Sequence, residues 1–333
     1  MIMQNFEDFQ PPSWARNPHF QSIIANRKIS GVGSSSMTAA ALETVVDAGD
    51  GIRLQGFHSF HSGNSGRGLA ILVHGWEGSA DSNYIKSLGK VIFQQGCDVF
   101  RLNMRDHGRS HHLNSGLFNG TLSEEFFQAV KAIAALAAPR DCYLLGFSLG
   151  GNFSLRFGLH PEAATVDNLR RIIVISPCMD PYKTTCALDR QGFYRWYFLR
   201  KWRRSLAEKE RIFPELYDFS RVAAGRSCME MTRLLIEEYT DMNSCEEYFD
   251  QYTLTGGVLE DLQLPTTIIT AEDDPLVPVG DFYDLPEIDC LELSVQRYGG
   301  HCGFIDQPPT GCWYERLIGS LLTGSREKAD RHA

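Results

Sequence analysis

The stretch that most restricts the fold of this chain is Tyr143-Leu144-Leu145-Gly146-Phe147-Ser148-Leu149-Gly150-Gly151-Asn152. Asp141-Cys142-Tyr143-Leu144-Leu145 is apolar enough for a central parallel strand, and Phe153, Leu155, Phe157 and Leu159 supply the packing side of a helix. Between them Gly146-x-Ser148-x-Gly150 predicts a very tight turn with serine at its apex. In such a strand–turn–helix the serine is held in a strained backbone conformation and its hydroxyl projects above the sheet. The glycines have a steric task, because a Cβ at either place would strike the neighbouring strand or helix. The helix that follows aims free N–H groups at the serine, where negative charge develops during acyl transfer. The pattern is short enough to arise by chance, so the competing reading is a structural turn with an incidental serine.

From Leu69 the chain alternates strand and helix. Leu69 to Val73 reads as a buried strand running into His74-Gly75-Trp76-Glu77-Gly78, followed by a helix over 83–95, a strand over 98–104 and a helix over 123–137 capped by Ser123. Strands over 171–176, 266–271 and 291–298 and a closing helix over 311–322 complete the series. This alternation predicts an α/β protein, a mostly parallel sheet with flanking helices. Before it, 42–46 and 52–60 read as an antiparallel pair turned by Asp50-Gly51, and Ser62 to Gly68 as a flexible connection. Residues 1–36 read as irregular, including Gly31-Val32-Gly33, which lacks the third glycine of a phosphate loop. The chain thus divides into an N-terminal segment 1–36, one core in two parts at 37–178 and 265–325, and a helical cap insertion at 179–264.

The insertion falls at the carboxyl edge of the sheet, where open α/β folds bind ligands. Its most unusual part is Phe193 to Arg211, where Tyr194, Phe198, Trp202 and Leu206 recur at helical spacing among Arg195, Arg200, Lys201, Arg203 and Arg204. A membrane-surface helix has this composition. The preferred reading is an amphipathic lid helix, aromatic face on the core and basic face in water. Glu208, Glu210 and Glu215 follow closely and would blunt attraction to anionic lipid.

A serine hydroxyl is a poor nucleophile at neutral pH and needs an adjacent base, itself oriented by a carboxylate. In this topology the acid follows a late strand and the histidine follows the last one. Glu272-Asp273-Asp274-Pro275-Leu276-Val277-Pro278 and Gly299-Gly300-His301-Cys302-Gly303-Phe304 occupy those places. His301 is the candidate base and Asp274 the candidate acid, with Asp273 the nearest competitor for that role, its alternative being a loop carboxylate that caps nearby backbone. The N–H of Leu149, the residue after the serine, and that of Trp76 are the candidate oxyanion donors. His74 reads as a structural histidine buttressing the Trp76 loop. The histidines of Asp106-His107-Gly108-Arg109-Ser110-His111-His112 form no H-x-H-x-D-H or H-E-x-x-H spacing, so neither a metal nor any other cofactor is called for.

A net charge of −9 over 333 residues offers no basic footprint for nucleic acid. No apolar run approaches the roughly 20 residues of a membrane span, so stable membrane insertion is not expected. Met1 to Gln10 lacks the basic and apolar parts of a signal peptide. Nine cysteines with no C-x-x-C pair point to reduced thiols and a cytoplasmic location.

The combination of motifs resembles the YheT-like group of α/β-hydrolases over nearly the whole chain, from about Phe9 to Phe304. The matching pieces are Pro11-Pro12-Ser13-Trp14-Ala15-Arg16-Asn17-Pro18-His19-Phe20-Gln21, His74-Gly75-Trp76-Glu77-Gly78-Ser79, Arg105-Asp106-His107-Gly108, His111-His112-Leu113-Asn114, the elbow, Asp273-Asp274-Pro275 and Gly299-Gly300-His301-Cys302-Gly303-Phe304. The resemblance implies an α/β-hydrolase sheet with a helical cap and a triad carried onto Ser148, Asp274 and His301. It also implies hydrolysis of medium-chain acyl esters and lipids, with acyl transfer in some relatives. Trp76 departs from the smaller aliphatic residue usual there and is expected to narrow the acyl pocket, and Cys302 stands where valine is common. The expected function is a carboxylesterase acting on a small acyl ester. An acyltransferase or thioesterase using the same triad, and an inactive hydrolase scaffold that only binds, are the alternatives. A dehalogenase or epoxide hydrolase would need aspartate at 148.

Overall fold

The computed structural model describes residues 7–26, 35–62, 66–307 and 311–329. The Gly31-Val32-Gly33 loop reading and the middle of the Ser62–Gly68 connection fall outside these residues. The strands are β1 Ala41–Asp47, β2 Arg53–Ser59, β3 Leu69–Val73, β4 Asp98–Leu102, β5 Cys142–Phe147, β6 Leu169–Ile175, β7 Thr266–Ala271 and β8 Leu291–Gln296. They form one eight-stranded sheet in the order β1-β2-β4-β3-β5-β6-β7-β8. β1 and β2 pair antiparallel, β2 runs antiparallel to β4, and the pairings from β4 through β8 are parallel. A short antiparallel pair, β9 Ile305–Gln307 and β10 Gly311–Cys312, lies apart from it.

The parallel strands β3, β4, β5 and β7 are buried along their whole length, as strands covered on both faces must be. Successive side chains then sort to opposite faces. Ile71, Val73 and Leu144 join one apolar cluster, and Ala70, Leu72, Tyr143 and Leu145 join the other. Each large side chain buried in this way contributes about 1.5–3 kcal/mol. The pattern that marked these segments as strands is therefore also what forms the two layers of core.

The helices are α1 Pro18–Asn26, α2 Ser36–Ala39, α3 Asn83–Gln94, α4 Ser123–Ala135, α5 Leu149–Gly158, α6 Pro181–Arg190, α7 Gly192–Ile212, α8 Ser220–Ala223, α9 Cys228–Tyr239, α10 Cys245–Asp250, α11 Gly280–Tyr283 and α12 Trp313–Ala329. Helices α6 to α10 all fall between β6 and β7, over the carboxyl end of the sheet. Three readings are corrected. The segment before residue 36 is not wholly irregular, because α1 forms there: Asn17 Oδ1 accepts the N–H groups of His19 at 2.9 Å and Phe20 at 3.0 Å, and Pro18 supplies the first helical position. Ser123 is the first residue of α4 and not its cap, since Leu122 takes the cap position with no side-chain bond. The closing helix starts at Trp313, because Gly311 and Cys312 are drawn into the pairing with Ile305–Gln307.

Helix α7 turns the expected stripe inward, Tyr194 and Leu206 sharing an apolar cluster against which Phe198 and Trp202 pack, with Arg195, Arg200 and Arg204 exposed. Tyr194, Leu199 and Leu206 face the core, but so does Lys209, while Phe193 and Trp196 are 53% and 54% exposed. Lys209 Nζ lies 2.8 Å from Asp106 Oδ1 and also reaches the carbonyls of Asn114 at 2.7 Å and Gly116 at 2.9 Å. A buried ammonium needs this many acceptors to offset its lost hydration. The pair therefore ties α7 to the 106–116 loop.

Candidate active site

Ser148 joins β5 to α5 with φ 51° and ψ −117°. A side-chain-bearing residue in this region costs about 1–3 kcal/mol and persists only where its surroundings hold it. The surroundings here are tight. A Cβ on Gly146 would lie 2.4 Å from the Gly150 carbonyl oxygen, and one on Gly150 would lie 2.4 Å from that of His74.

The loops after β7 and β8 meet the serine. His301 Nε2 lies 2.9 Å from Ser148 Oγ, and His301 Nδ1 lies 2.8 Å from Asp274 Oδ2. A proton on Nδ1 facing the carboxylate leaves Nε2 to accept from the serine hydroxyl. The other oxygen of Asp274 accepts the N–H groups of Leu276 at 2.8 Å and Val277 at 3.0 Å, so the turn itself aims the carboxylate. Asp273 instead accepts the Gly300 N–H at 2.8 Å. Burial pulls the His301 pKa down, but the charge and hydrogen bond of Asp274 together with Cys302 outweigh it and hold the imidazole well above its ordinary value.

Leu149 opens α5, so its N–H has no acceptor within the helix. Among the described residues the Trp76 N–H also donates to no acceptor. Both residues border the cavity beside Ser148. The loop carrying Trp76 is pinned by two buried imidazoles with the same bonding pattern. His74 Nδ1 donates to the Gly75 carbonyl at 2.8 Å, and its Nε2 accepts the Met104 N–H at 3.2 Å. His107 Nδ1 donates to the Arg105 carbonyl at 2.7 Å, and its Nε2 accepts the Glu77 N–H at 3.1 Å. Only neutral imidazole can donate at one nitrogen and accept at the other. Burial agrees, lowering His74 to about 4 and His107 well below the usual histidine range. His111 is occupied otherwise, its Nε2 lying 2.8 Å from Ser205 Oγ on α7.

The N-terminal segment supports the histidine loop, a role the sequence did not disclose. Gln21 is fully buried, donating to the carbonyls of Ala15 at 2.8 Å and Ile305 at 3.1 Å and accepting the Ile305 N–H at 2.7 Å. Ser22 Oγ accepts the His301 N–H at 2.8 Å. Asn17-Pro18 was the available signal, since a capping residue before proline starts a helix.

Two spaces meet at His301. One is a cavity of about 160 Å³ lined mainly by apolar groups, among them Phe118, Leu188, Trp202, Leu235, Tyr248 and Leu276. The other is an open groove past His301, lined by Glu77, His107, Arg109, Tyr197, Lys201 and Arg204 among others. Burial pushes the Glu77 carboxyl up to about 7, against the pull of the Lys201 ammonium. Trp76 borders both spaces, its ring stacked on Phe198 at 5.2 Å and edge-on to Trp202 at 5.1 Å. Its bulk is thus spent partly on holding α7 against the core.

Sheet order, elbow and crossing loops together define the α/β-hydrolase fold. A family model described as alpha/beta hydrolase fold matches residues 70–213. A Synechocystis protein named provisionally as an esterase is 22% identical over 270 residues, covering 73% of this chain and 72% of that one. The embryogenesis-associated protein EMB8 of Picea glauca is 23% identical, and the match covers 76% of this chain but only 58% of that longer one. Among solved structures, an esterase of Pyrococcus furiosus superposes with a TM-score of 0.53 at 17% identity, covering 96% of this chain and 98% of that one. Among the described residues no helix is long and apolar enough to cross a membrane.

Proposed function

We propose that this chain is a serine hydrolase that cleaves short- to medium-chain carboxylic esters through an acyl-enzyme, with Ser148, His301 and Asp274 as its triad. The observation that carries the reading is the unbroken hydrogen-bonded line from Ser148 Oγ through His301 to Asp274, starting from a strained serine at the mouth of an apolar cavity. Ser148 Oγ adds to the ester carbonyl carbon while its proton passes to His301 Nε2. Asp274 steadies the imidazolium that forms. Negative charge on the former carbonyl oxygen falls to the N–H groups of Leu149 and Trp76, each worth on the order of 10²–10³ in rate. The carbon–alkoxy bond then breaks, and Nε2 returns the proton to the departing alcohol. Water, losing a proton to His301, attacks the acyl carbon in turn, and the acid and free Ser148 are restored.

The acyl chain occupies the apolar cavity and the alcohol portion faces the groove. Kinship with the YheT-like group is part of this proposal, supported by the motif residues around Asn17, His107 and His301. Hydrolysis of p-nitrophenyl esters from acetyl to palmitoyl tests it. The expected profile peaks among short to medium acyl chains and falls steeply beyond them, whereas no turnover of any ester overturns the reading.

A further inference from the structure

Helix α7 carries a surface that its packing does not explain. Arg195, Trp196, Leu199, Arg200, Arg203 and Arg204 line a shallow depression formed by α7 residues alone. Phe193, Arg195, Trp196, Arg200 and Arg204 are all exposed. The Phe193 and Trp196 rings lie 6.2 Å apart, and the Arg200 guanidinium sits 5.6 Å over the Trp196 ring. Arg203 is spoken for, bonded to the carbonyls of Ala223 at 2.8 Å and Gly225 at 2.7 Å. Among the described residues Arg195, Arg200 and Arg204 pair with no carboxylate. Glu208, four residues beyond Arg204, is bonded to Arg211 at 2.7 Å.

Exposed aromatic rings interleaved with arginines that meet no carboxylate, Arg195 donating only to the Asp189 carbonyl at 3.0 Å, suit one environment, the boundary between anionic headgroups and acyl chains. Tryptophan places an amphipathic ring at that depth, and arginine both reaches phosphate and keeps its stem in apolar contact. The overall charge sharpens the choice, because a chain of net charge −9 is repelled by an anionic surface unless a basic stripe such as this one faces it. Position adds to chemistry. Phe193 and Arg204 also line the groove that leads past His301.

We propose that the exposed stripe of α7, Phe193, Arg195, Trp196, Arg200 and Arg204, docks this protein peripherally onto anionic lipid surfaces and turns the groove that leads past His301 toward them. Docking itself is independent of catalysis. Its use in supplying ester substrate rests on the hydrolase reading above.

Co-sedimentation of the full chain with vesicles tests it, comparing phosphatidylcholine alone with an equal mixture of phosphatidylcholine and phosphatidylglycerol. The protein is expected to bind the anionic vesicles, more weakly as salt rises, and not the neutral ones. Each arginine near such a surface is worth about fivefold in affinity, so Arg195→Gln/Arg200→Gln should lose about 25-fold and Arg195→Glu/Arg200→Glu more. Trp196→Ser should weaken binding severalfold. Neither residue set lines the cavity or the groove, so hydrolysis of a soluble short-chain ester should stay at the wild-type rate, which also certifies the fold. Equal binding to both vesicle types, no binding at all, or full binding by the arginine variants would overturn the proposal. Ser148→Ala separates the two readings: it should bind vesicles normally, and a wild type that binds them but cleaves no ester would leave docking standing and the hydrolase reading refuted.

Discussion

Gln21→Leu removes three hydrogen bonds without opening a cavity, because the two side chains are close in volume. Gln21 is fully buried, and its loss strands the Ile305 N–H and takes one partner each from the Ala15 and Ile305 carbonyls. A buried group left unpaired costs about 1–3 kcal/mol. The N–H makes a short 2.7 Å bond to Gln21 and carries the upper part of that range, while the carbonyls keep a lone pair each and lose less. The expected destabilisation is about 3–4 kcal/mol, read as a lower midpoint at constant slope in urea unfolding. Ile305 lies four residues beyond His301, and the neighbouring Ser22 Oγ holds the His301 N–H at 2.8 Å, so turnover should fall together with stability. A loss below about 1 kcal/mol with unchanged kcat would refute the claim that α1 holds the histidine loop.

Asp274→Asn should leave the fold intact but reduce kcat by about 10⁴, since the amide cannot hold the imidazole in its working tautomer or steady its charge. The base must be neutral to accept a proton, and Asp274 raises the His301 pKa, so the residual activity of the variant should rise at lower pH than in the wild type; a limb shifted to higher pH would contradict this. Lys209→Met leaves the Asp106 carboxylate buried without its cation and should cost about 3–5 kcal/mol at neutral pH. Asp106 already has a pKa raised chiefly by burial, and without Lys209 it will take up a proton more readily in the folded state, so chemical unfolding should show a smaller penalty as pH falls through its folded value. Leu235→Trp, which fills part of the cavity on the α9 side, should move the ester preference toward shorter acyl chains; an unchanged profile would place the acyl group elsewhere.

What could be read from the residues followed locality. The elbow, the buried strands and the order of Ser148, Asp274 and His301 each depend on a few adjacent positions, and the structure brings those three side chains into contact. Asp273 and His74 also take the bonding roles their loops implied. Features resting on distant partners were hidden. Gln21 and Ser22 look like ordinary polar residues until the Ile305 and His301 backbone arrives from the far end of the chain. Lys209 reads as one more surface cation because nothing in its neighbourhood names Asp106 as its partner. The α7 stripe of Tyr194, Phe198, Trp202 and Leu206 does face the core as its helical spacing implies, whereas Phe193 and Trp196, off that spacing, are left in solvent. The prolines before residue 36 give that segment an irregular look, although Asn17-Pro18 within it starts a helix.

The central claim is that Ser148 is a nucleophile activated by His301. Labelling with a fluorophosphonate probe, followed by mass spectrometry of the modified peptide, tests it most directly. The account predicts one adduct, on Ser148, that is lost in Ser148→Ala and much slower to form in His301→Ala. No adduct on the wild type, or equal labelling of Ser148→Ala, would contradict it.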